Sequence, residues 1–386
     1  LTTDDLYVVP RDMQAKKLVQ KFDQIYRNNN NTNNNNNGSS SRASSRRKLL
    51  WTLWKIGASN YVPAGFCELL VVLCGTALPL LVRELLEVLE RNEDNVIKRG
   101  MPIAISIFVV SLLNGFGNHR HRHLALKTGV VLRATVVNEL YHHVMHLSPE
   151  GKKGLTSGEV TNLVAVDAQK LFEVTQEGHL IWALPLSIIL VSFFLYRTLG
   201  PSTLVGIVVL IAFVPVIQKV TARMLAIRQK RVRFTDQRVE IVSNMLQGIK
   251  VTKLNNYESS YWNRLTETRN HELRYLSREM AVWATTLLMT VISPVLATGA
   301  TFCTYVLIDD NNILTAADTF GVLLLFSALR FPINFAGRLI GKAAQAMSAV
   351  RRIALFLERP LRTDRKEQDD QDSNATEAES EDDSNQ

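Results

Sequence analysis

The chain has 386 residues, of which 46% are hydrophobic and 21% are charged, and its formal net charge is +8. The hydrophobic residues are concentrated in blocks between Val62 and Gly341, basic residues flank these blocks, and both ends of the chain are polar. This distribution indicates an integral membrane protein and excludes nucleic-acid binding, since no base-reading module or aromatic platform accompanies the basic residues. Cys67, Cys74 and Cys303 lie inside the apolar blocks, without the spacing of a disulfide framework or a metal site.

The two polar ends differ in composition. Residues 1–48 are predicted to be a polar, asparagine-rich cytoplasmic linker, because residues 28–37 are nine asparagines interrupted only by Thr32. Residues 361–386 are predicted to be an acidic, disordered tail, since residues 367–383 hold nine Asp or Glu and no Lys or Arg. The transmembrane domain is therefore expected between them, over residues 49–360.

Six apolar blocks each approach the ~20 residues that a helix needs to cross a bilayer. Several contain proline, which spanning helices tolerate because neighbouring helices can satisfy the freed backbone carbonyls. The sixth block also carries Arg330 and Arg338, so it cannot face lipid on every side. The predicted spans are residues 62–82, 101–118, 180–196, 203–218, 281–308 and 320–341.

The connections between these blocks alternate in length. Blocks two and three, and blocks four and five, are separated by about sixty residues rich in Leu, Val, Arg, Lys and Glu. Such stretches predict two helical hairpins that extend roughly 40 Å beyond the membrane, at ~1.5 Å per residue. Residues 219–280 carry 13 Lys or Arg, whereas the short loops 197–202 and 309–319 carry one and none. The hairpins and both termini are therefore predicted to be cytoplasmic.

Several segments carry more distinctive motifs. SGEVTNLVAVDAQ (157–169) and NMLQGIKVTKLNNYE (244–258) lie at the two predicted hairpin tips. LIDDNNILTAADTF (307–320) joins the fifth and sixth spans, FSALRFPIN (326–334) lies in the sixth span, and RRIALFLERP (351–360) follows it. Together with the opening LTTDDLY, these segments resemble subfamily C of the ABC transporters, the multidrug-resistance-associated group, from about residue 48 to residue 360. The resemblance implies an all-α membrane protein: the first core six-helix type I exporter transmembrane domain, with two long cytoplasmic helical hairpins.

In that family the hairpin tips couple the membrane domain to ATPase domains. At the first tip, Ser157 and Gly158 are expected to break the long helix, and Glu159 suits the positive end of the short helix that follows. At the second tip, Tyr257 stands where the family usually has Trp and keeps an aromatic knob. The resemblance implies a coupling role for six residues: Gly158, Glu159, Asn162, Asp167, Tyr257 and Glu258.

The resemblance also implies a cargo pocket. Family members carry a basic residue at the place of Arg83, where it contacts anionic cargo; the alternative is an arginine that snorkels to the outer head groups. Arg330 and Phe331, with Ser327 one turn earlier, correspond to pocket residues of the sixth span. A guanidinium there can bind a carboxylate or sulfonate through two hydrogen bonds. The alternative for Arg330 is a structural ion pair.

The run HRHRH (119–123) lies at the inner end of the second predicted span. It is expected to contact head groups or to form a basic mouth that draws anions inward, with His119 and Arg122 as candidate cargo contacts. Zinc binding by His119 and His123 lacks a third acidic or cysteine ligand nearby, so no metal site is predicted.

The sequence contains no phosphate loop. Its nearest approach, Gly337, Gly341, Lys342 and Ala343, is one residue short and lacks the hydroxyl that binds Mg²⁺. No hydrolytic triad is recognisable either. The chain is therefore expected to bind no cofactor itself, with ATP and Mg²⁺ held by nucleotide-binding domains supplied elsewhere.

The expected function is that of a transmembrane half-domain of an ATP-driven exporter for amphipathic organic anions or conjugates. Its expected partners are the lipid bilayer, a second six-helix transmembrane domain and the nucleotide-binding domains, in the plasma membrane or the vacuolar membrane. The alternative is a regulatory membrane subunit of the same family that binds ligand without transport. An independent ion channel is disfavoured, since the loop 309–319 is too short and polar for a re-entrant pore segment.

Overall fold

The structure is a computed structural model that describes residues 17–22, 24–26, 42–91, 96–308 and 314–362. Within these ranges the regular secondary structure is helical, apart from a single isolated bridge between Leu147 and Leu361. The asparagine-rich tract and nearly all of the predicted acidic tail lie outside the described residues.

Most of the described chain is long helix. Two short segments connect helices directly: a π-helical segment, Leu163–Asp167, between α3 and α4, and a 3₁₀ turn, Gly200–Ser202, between α5 and α6. The helices are α1 (Arg42–Glu90), α2 (Val96–Met145), α3 (Ser157–Asn162), α4 (Ala168–Glu177), α5 (Leu180–Leu199), α6 (Thr203–Gln247), α7 (Ile249–Leu254), α8 (Glu258–Ile308) and α9 (Ala316–Leu357).

Each of the six predicted spans lies in a different helix, namely α1, α2, α5, α6, α8 and α9. Five helical stretches of the described chain are long and apolar enough to cross a membrane, and one of them, Ser157–Gln247, contains both the third and the fourth predicted span. The 50 residues of α2 extend about 75 Å, well beyond the ~30 Å of a hydrocarbon core. The prediction that the long connections continue as helix is confirmed.

The chain divides into two compact units. The first unit comprises residues 1–74, 109–184 and 336–386, and the second comprises residues 75–108 and 185–335.

The first unit is built around an apolar cluster that includes Leu49 and Leu53 of α1, Leu140 of α2 and Ile353 of α9. The same cluster contains Leu18 and Phe22 from the short helical segment before α1, and both side chains are almost completely buried. Part of the predicted polar linker therefore belongs to the core, which its composition did not indicate.

The second unit contains the hairpin of α6 and α8, which pack against each other. Its apolar cluster includes Leu195 of α5 and Phe326 of α9. Gly206 of α6 leaves no room for a side chain, because a Cβ there would collide with Thr301 and Phe326. The absence of a side chain at this residue therefore lets α6 pack closely against its two neighbours.

Charged residues hold the α6–α8 hairpin together beyond the predicted spans. Glu272 of α8 is 4% exposed and accepts hydrogen bonds from Arg238 (2.9 Å), Arg269 (2.7 Å) and the Thr235 hydroxyl (2.8 Å). Burial by itself raises the pKa of Glu272, but the hydrogen bonds from Arg269, Thr235 and Arg238 outweigh it and lower the pKa to about 2. The carboxylate is thus held in its charged form.

Candidate functional site

The first predicted coupling segment begins a new short helix, as the sequence indicated. Thr156 is the N-cap of α3, and its hydroxyl accepts a hydrogen bond from the backbone N–H of Glu159 at 3.2 Å. Glu159 lies in the first turn, where a carboxylate interacts favourably with the helix dipole. Gly158, Glu159 and Asn162 are all exposed, and the Glu159 carboxylate lies 3.9 Å from the guanidinium of Arg359.

Asp167 differs from the other residues predicted at this tip. Its side chain is completely buried, and both of its carboxylate oxygens accept hydrogen bonds from Arg352 of α9, at 2.7 and 2.5 Å. A bidentate pair of this kind fixes both position and orientation. Asp167 therefore attaches the first tip to α9 and does not present a surface to a partner.

The segment that follows α9 is also attached to this tip. The backbone N–H of Ser148 donates to the carbonyl of Pro360 at 3.1 Å, and Arg359 donates to the carbonyl of Gly151 at 2.8 Å. A Cβ at Gly151 would lie only 2.6 Å from the Pro360 oxygen, so the close approach requires glycine. Residues 359–362 and the loop 146–153, here named the exit strap, are thus joined by several hydrogen bonds.

The second predicted coupling segment is exposed almost throughout. Leu254 at the end of α7 is 86% exposed and Tyr257 is 53% exposed, while Glu258 is exposed and pairs with Lys253. Asn256 takes a positive φ of 56°, which turns the chain between α7 and α8. The aromatic side chain of Tyr257 is therefore available to a groove on another domain.

Arg83, a predicted cargo contact, makes an ion pair within the second unit. Its Nε donates to Asp318 in the first turn of α9 at 2.8 Å, and Asp318 also accepts from the Thr315 hydroxyl at 2.9 Å. Nearby, the carboxylate of Glu90 accepts from the first backbone N–H groups of α9, those of Ala316 (3.3 Å) and Ala317 (3.4 Å). The sequence pointed to cargo or head groups as the contacts of Arg83 and gave no sign of Asp318, which lies 235 residues away.

The other three predicted cargo residues of this unit share the exposed side of α9. Ser327 and Arg330 are exposed, and Phe331 is 53% exposed with its ring stacked on Phe335 at a centroid distance of 5.1 Å. The opposite side of the helix, including Leu329, is buried in the apolar cluster of the second unit. Arg330 makes no ion pair or hydrogen bond within the described part of the chain. Among the residues that the structure describes, the structural ion pair considered as its alternative role is therefore not observed.

The five residues of the HRHRH run are not all exposed to the surroundings in the same way. His119 and Arg122, the predicted cargo contacts, are exposed on α2, as are Arg120 and His123. His121 instead is buried, and its Nδ1 lies 3.0 Å from an Oε2 of Glu68 in α1.

One feature of the sequence indicated that Glu68 has a partner such as His121. Glu68 is the only charged residue in the first predicted span, and an ionisable residue in a span usually faces a partner inside the bundle.

Comparison with known proteins agrees with this architecture. The chain matches the family model of the ABC transporter transmembrane region over residues 62–333. It is 33% identical to human ATP-binding cassette sub-family C member 2 over 266 residues, 69% of this chain and 17% of that protein. It is also 33% identical to human sub-family C member 3 over 258 residues, 67% of this chain and 17% of that protein. It is 31% identical to rat sub-family C member 2 over 267 residues, 69% of this chain and 17% of that protein.

The chain thus spans 17% of the length of these relatives. The family match nevertheless covers most of the chain and includes both hairpins and parts of all six predicted spans. On this evidence the chain belongs to the ABC transporter transmembrane region family, with sub-family C proteins among its relatives.

Proposed function

We propose that the chain is the transmembrane half-domain of an ATP-driven exporter for amphipathic organic anions. The observation that carries this proposal is the exposed side of α9, where Ser327, Arg330 and Phe331 lie together in a predicted span. A guanidinium without a partner is costly in lipid, so this side is expected to line a path or face another domain. A cation beside an aromatic ring suits a cargo that is both anionic and apolar.

The two exposed hairpin tips support coupling to ATPase domains. ATP and Mg²⁺ are bound by nucleotide-binding domains supplied elsewhere, which dock at Gly158, Glu159 and Asn162 on the first tip and at Tyr257 and Glu258 on the second. Closure of those domains on ATP moves the tips and shifts the helices between inward-open and outward-open states. The cargo site then differs in affinity between the two states, as directed transport requires.

A second six-helix domain completes the path, because one such domain leaves the exposed side of α9 uncovered. The bias of positive charge toward residues 219–280 places the hairpins in the cytoplasm, and the proposed location is the plasma membrane or the vacuolar membrane.

The test is uptake of a fluorescent glutathione conjugate into inside-out vesicles that contain the full-length protein, with and without ATP. The variant is Arg330→Ala, and the matched control is Arg264→Ala, an exposed arginine of α8 outside the predicted spans. We expect ATP-dependent uptake in the wild type and in the control, and at least a tenfold loss in Arg330→Ala, with basal ATP hydrolysis unchanged.

Two results would contradict the proposal. Equal uptake by Arg330→Ala and wild type would remove the cargo role of α9. A wild-type protein that is folded and hydrolyses ATP, but takes up none of the conjugate, would favour the regulatory subunit.

A further inference from the structure

Three ionisable side chains are buried together in the first unit, where predicted spans meet their helical extensions. They are Glu68 of α1, His121 of α2 and His179, which directly precedes α5. Each residue is no more than 6% exposed. Glu68 and His121 are 3.0 Å apart, and the rings of His121 and His179 meet edge to face with centroids 5.2 Å apart. None of the three has a role in the cargo or coupling surfaces described above.

The hydrogen bonds determine which ring nitrogens carry hydrogen. His179 Nε2 lies 3.0 Å from the backbone carbonyl of Tyr61. A carbonyl can only accept, so this nitrogen carries the hydrogen and Nδ1 of a neutral ring is left with a lone pair. By the same reasoning, an ionised Glu68 requires a hydrogen on His121 Nδ1 and leaves a lone pair on His121 Nε2. These two lone-pair nitrogens are buried, and neither has a hydrogen-bond partner in the described part of the chain.

The charge of the cluster is also unbalanced in that state. An ionised Glu68 and two neutral histidines give a net charge of −1 in a buried site, which is costly unless it is compensated. A fixed positive charge that acts on Glu68 is that of Arg122, whose side chain is exposed to solvent. A further titratable group in contact with the cluster is the Tyr61 ring, whose centroid is 3.9 Å from that of His179 and which is neutral at physiological pH.

We propose that Glu68, His121 and His179 form a binding site for one proton. Burial disfavours an imidazolium at His121, so the proton that arrives from water adds to the Glu68 carboxyl group. The carboxyl O–H then donates to His121 Nδ1, and the ring hydrogen of His121 moves from Nδ1 to Nε2. The net charge of the cluster becomes zero, and His121 Nε2 changes from an acceptor to an N–H donor beside a second ring that can accept.

A metal ion is the other occupant that two imidazole lone pairs could bind. Zinc sites are usually completed by three or four protein ligands. No group of three His, Cys, Asp or Glu side chains in the described ranges is placed to hold a metal ion. The proton is therefore the occupant that the arrangement favours.

The site connects three parts of the first unit: α1, α2 and the turn before α5. Gly65 and Gly178 bring these parts close, since a Cβ on Gly65 would lie 3.2 Å from the His179 ring and one on Gly178 would collide with Tyr61. Loss of the proton leaves an uncompensated charge and two acceptors in this tight contact. Packing here is therefore expected to weaken as the pH rises.

The first test is the pH dependence of thermal unfolding of the purified full-length protein in nanodiscs, between about pH 7 and pH 9, above the ordinary pKa of the histidines in an unfolded chain. Above about pH 7 an unfolded chain has lost its Glu and His protons, so a folded form that keeps one proton loses stability as the pH rises. The folded-to-unfolded ratio should fall by up to about tenfold per pH unit. Glu68→Gln removes the charge and should abolish this dependence, while the exposed control His123→Gln should keep it.

A second measurement does not depend on how the variants fold. In wild-type protein labelled with ¹⁵N in its histidine rings, the two ring ¹⁵N shifts of one buried histidine should change with pH as its hydrogen moves between Nδ1 and Nε2, and this change should disappear in Glu68→Gln. The proposal is overturned if the wild type shows no such change or if Glu68→Gln keeps the wild-type pH dependence. It is also overturned by a stoichiometric metal ion that is lost in His179→Gln, which would identify a metal site.

Discussion

Buried carboxylates in this protein each have a partner, and the partner determines what a substitution should do. Asp167 and Glu272 are both buried but differ in their surroundings. Asp167 has one guanidinium, that of Arg352, which binds it through two hydrogen bonds. Glu272 has two guanidinium groups and a hydroxyl. Removing the partner of Asp167 therefore leaves a buried charge with no replacement.

We expect Arg352→Ala to lower the stability of the first unit by about 3 kcal/mol, because breaking a pair with one fully buried member strands that charge. Arg352→Lys should recover only part of this loss, since an ammonium cannot reproduce the bidentate geometry. Chemical unfolding measures both variants. The double variant Arg352→Ala with Asp167→Asn should be more stable than Arg352→Ala alone; if it is less stable, the stranded charge is not the cause.

For Glu272, the low pKa of about 2 sets the direction of a pH effect. A carboxylate whose folded pKa lies below its unfolded value of about 4.3 contributes stability that is complete above the unfolded value. That contribution is lost as the pH falls toward 2. Glu272→Gln should lower stability by about 2 kcal/mol at neutral pH and should flatten the acid limb between about pH 4 and pH 2. Limited proteolysis of the α6–α8 hairpin measures this, with Glu267→Gln on exposed α8 surface as the control.

At the scale of elements, α1 and α9 of the second unit are joined at the start of α9 by polar contacts. The Arg83–Asp318 pair and the capping of α9 by Glu90 lie side by side. The Arg83 stem also packs on Gly321, where a Cβ would lie 2.9 Å from the arginine Cβ. These contacts occupy the arginine that the family resemblance assigns to cargo.

If Arg83 contacts cargo, it must first leave Asp318. Asp318→Ala should then lower the KM for an anionic conjugate severalfold, because the arginine no longer has a competing carboxylate. The cost in stability should be below about 1 kcal/mol, since both side chains are partly exposed. Vesicle uptake over a range of conjugate concentrations measures the KM, and Thr315→Ala serves as a control that removes a neighbour but no charge. An unchanged or higher KM would place Arg83 outside the cargo site.

Elements with a local cause could be predicted from the sequence, whereas contacts between distant segments could not. The six spans follow from apolar runs, and the start of α3 follows from a capping residue and a carboxylate within four positions. Asp167 and Arg352, by contrast, are 185 residues apart, and neither sequence motif indicates that the two side chains pair. The buried Leu18 and Phe22 were missed because residues 1–48 were judged by their polar composition, although Leu18, Phe22 and Ile25 recur at the spacing of a helix face.

At the scale of the whole molecule, the proposed function requires that motion at the hairpin tips reaches the spans. Tyr257 stands at the tip of a hairpin whose two helices are joined by ion pairs of the buried Glu272 and Glu279. The first tip is joined to α9 by Arg352 and by the exit strap. Each tip is thus joined by polar contacts to a long helix.

We expect Tyr257→Ala to separate ATP hydrolysis from transport. Basal hydrolysis by the full-length protein should remain, while stimulation of hydrolysis by conjugate and ATP-dependent uptake should both fall by about tenfold or more, as for loss of an aromatic anchor worth ~1.4 kcal/mol or more. Tyr257→Trp should retain activity, since the aromatic knob is kept. Wild-type uptake in Tyr257→Ala would show that coupling runs through other residues.

The length of α8 between the second tip and Pro294 has a geometric consequence. This part of the helix is about 54 Å long. Between its ends, Glu272 and Glu279 bind arginine side chains of α6. If a rigid helix of that length tilts by about 10° about one end, its other end moves by about 9 Å. Under the proposed function, the hairpin would therefore act as a lever arm whose ion pairs resist bending. A hairpin without these ion pairs would then transmit less of the movement of the ATPase domains to the membrane.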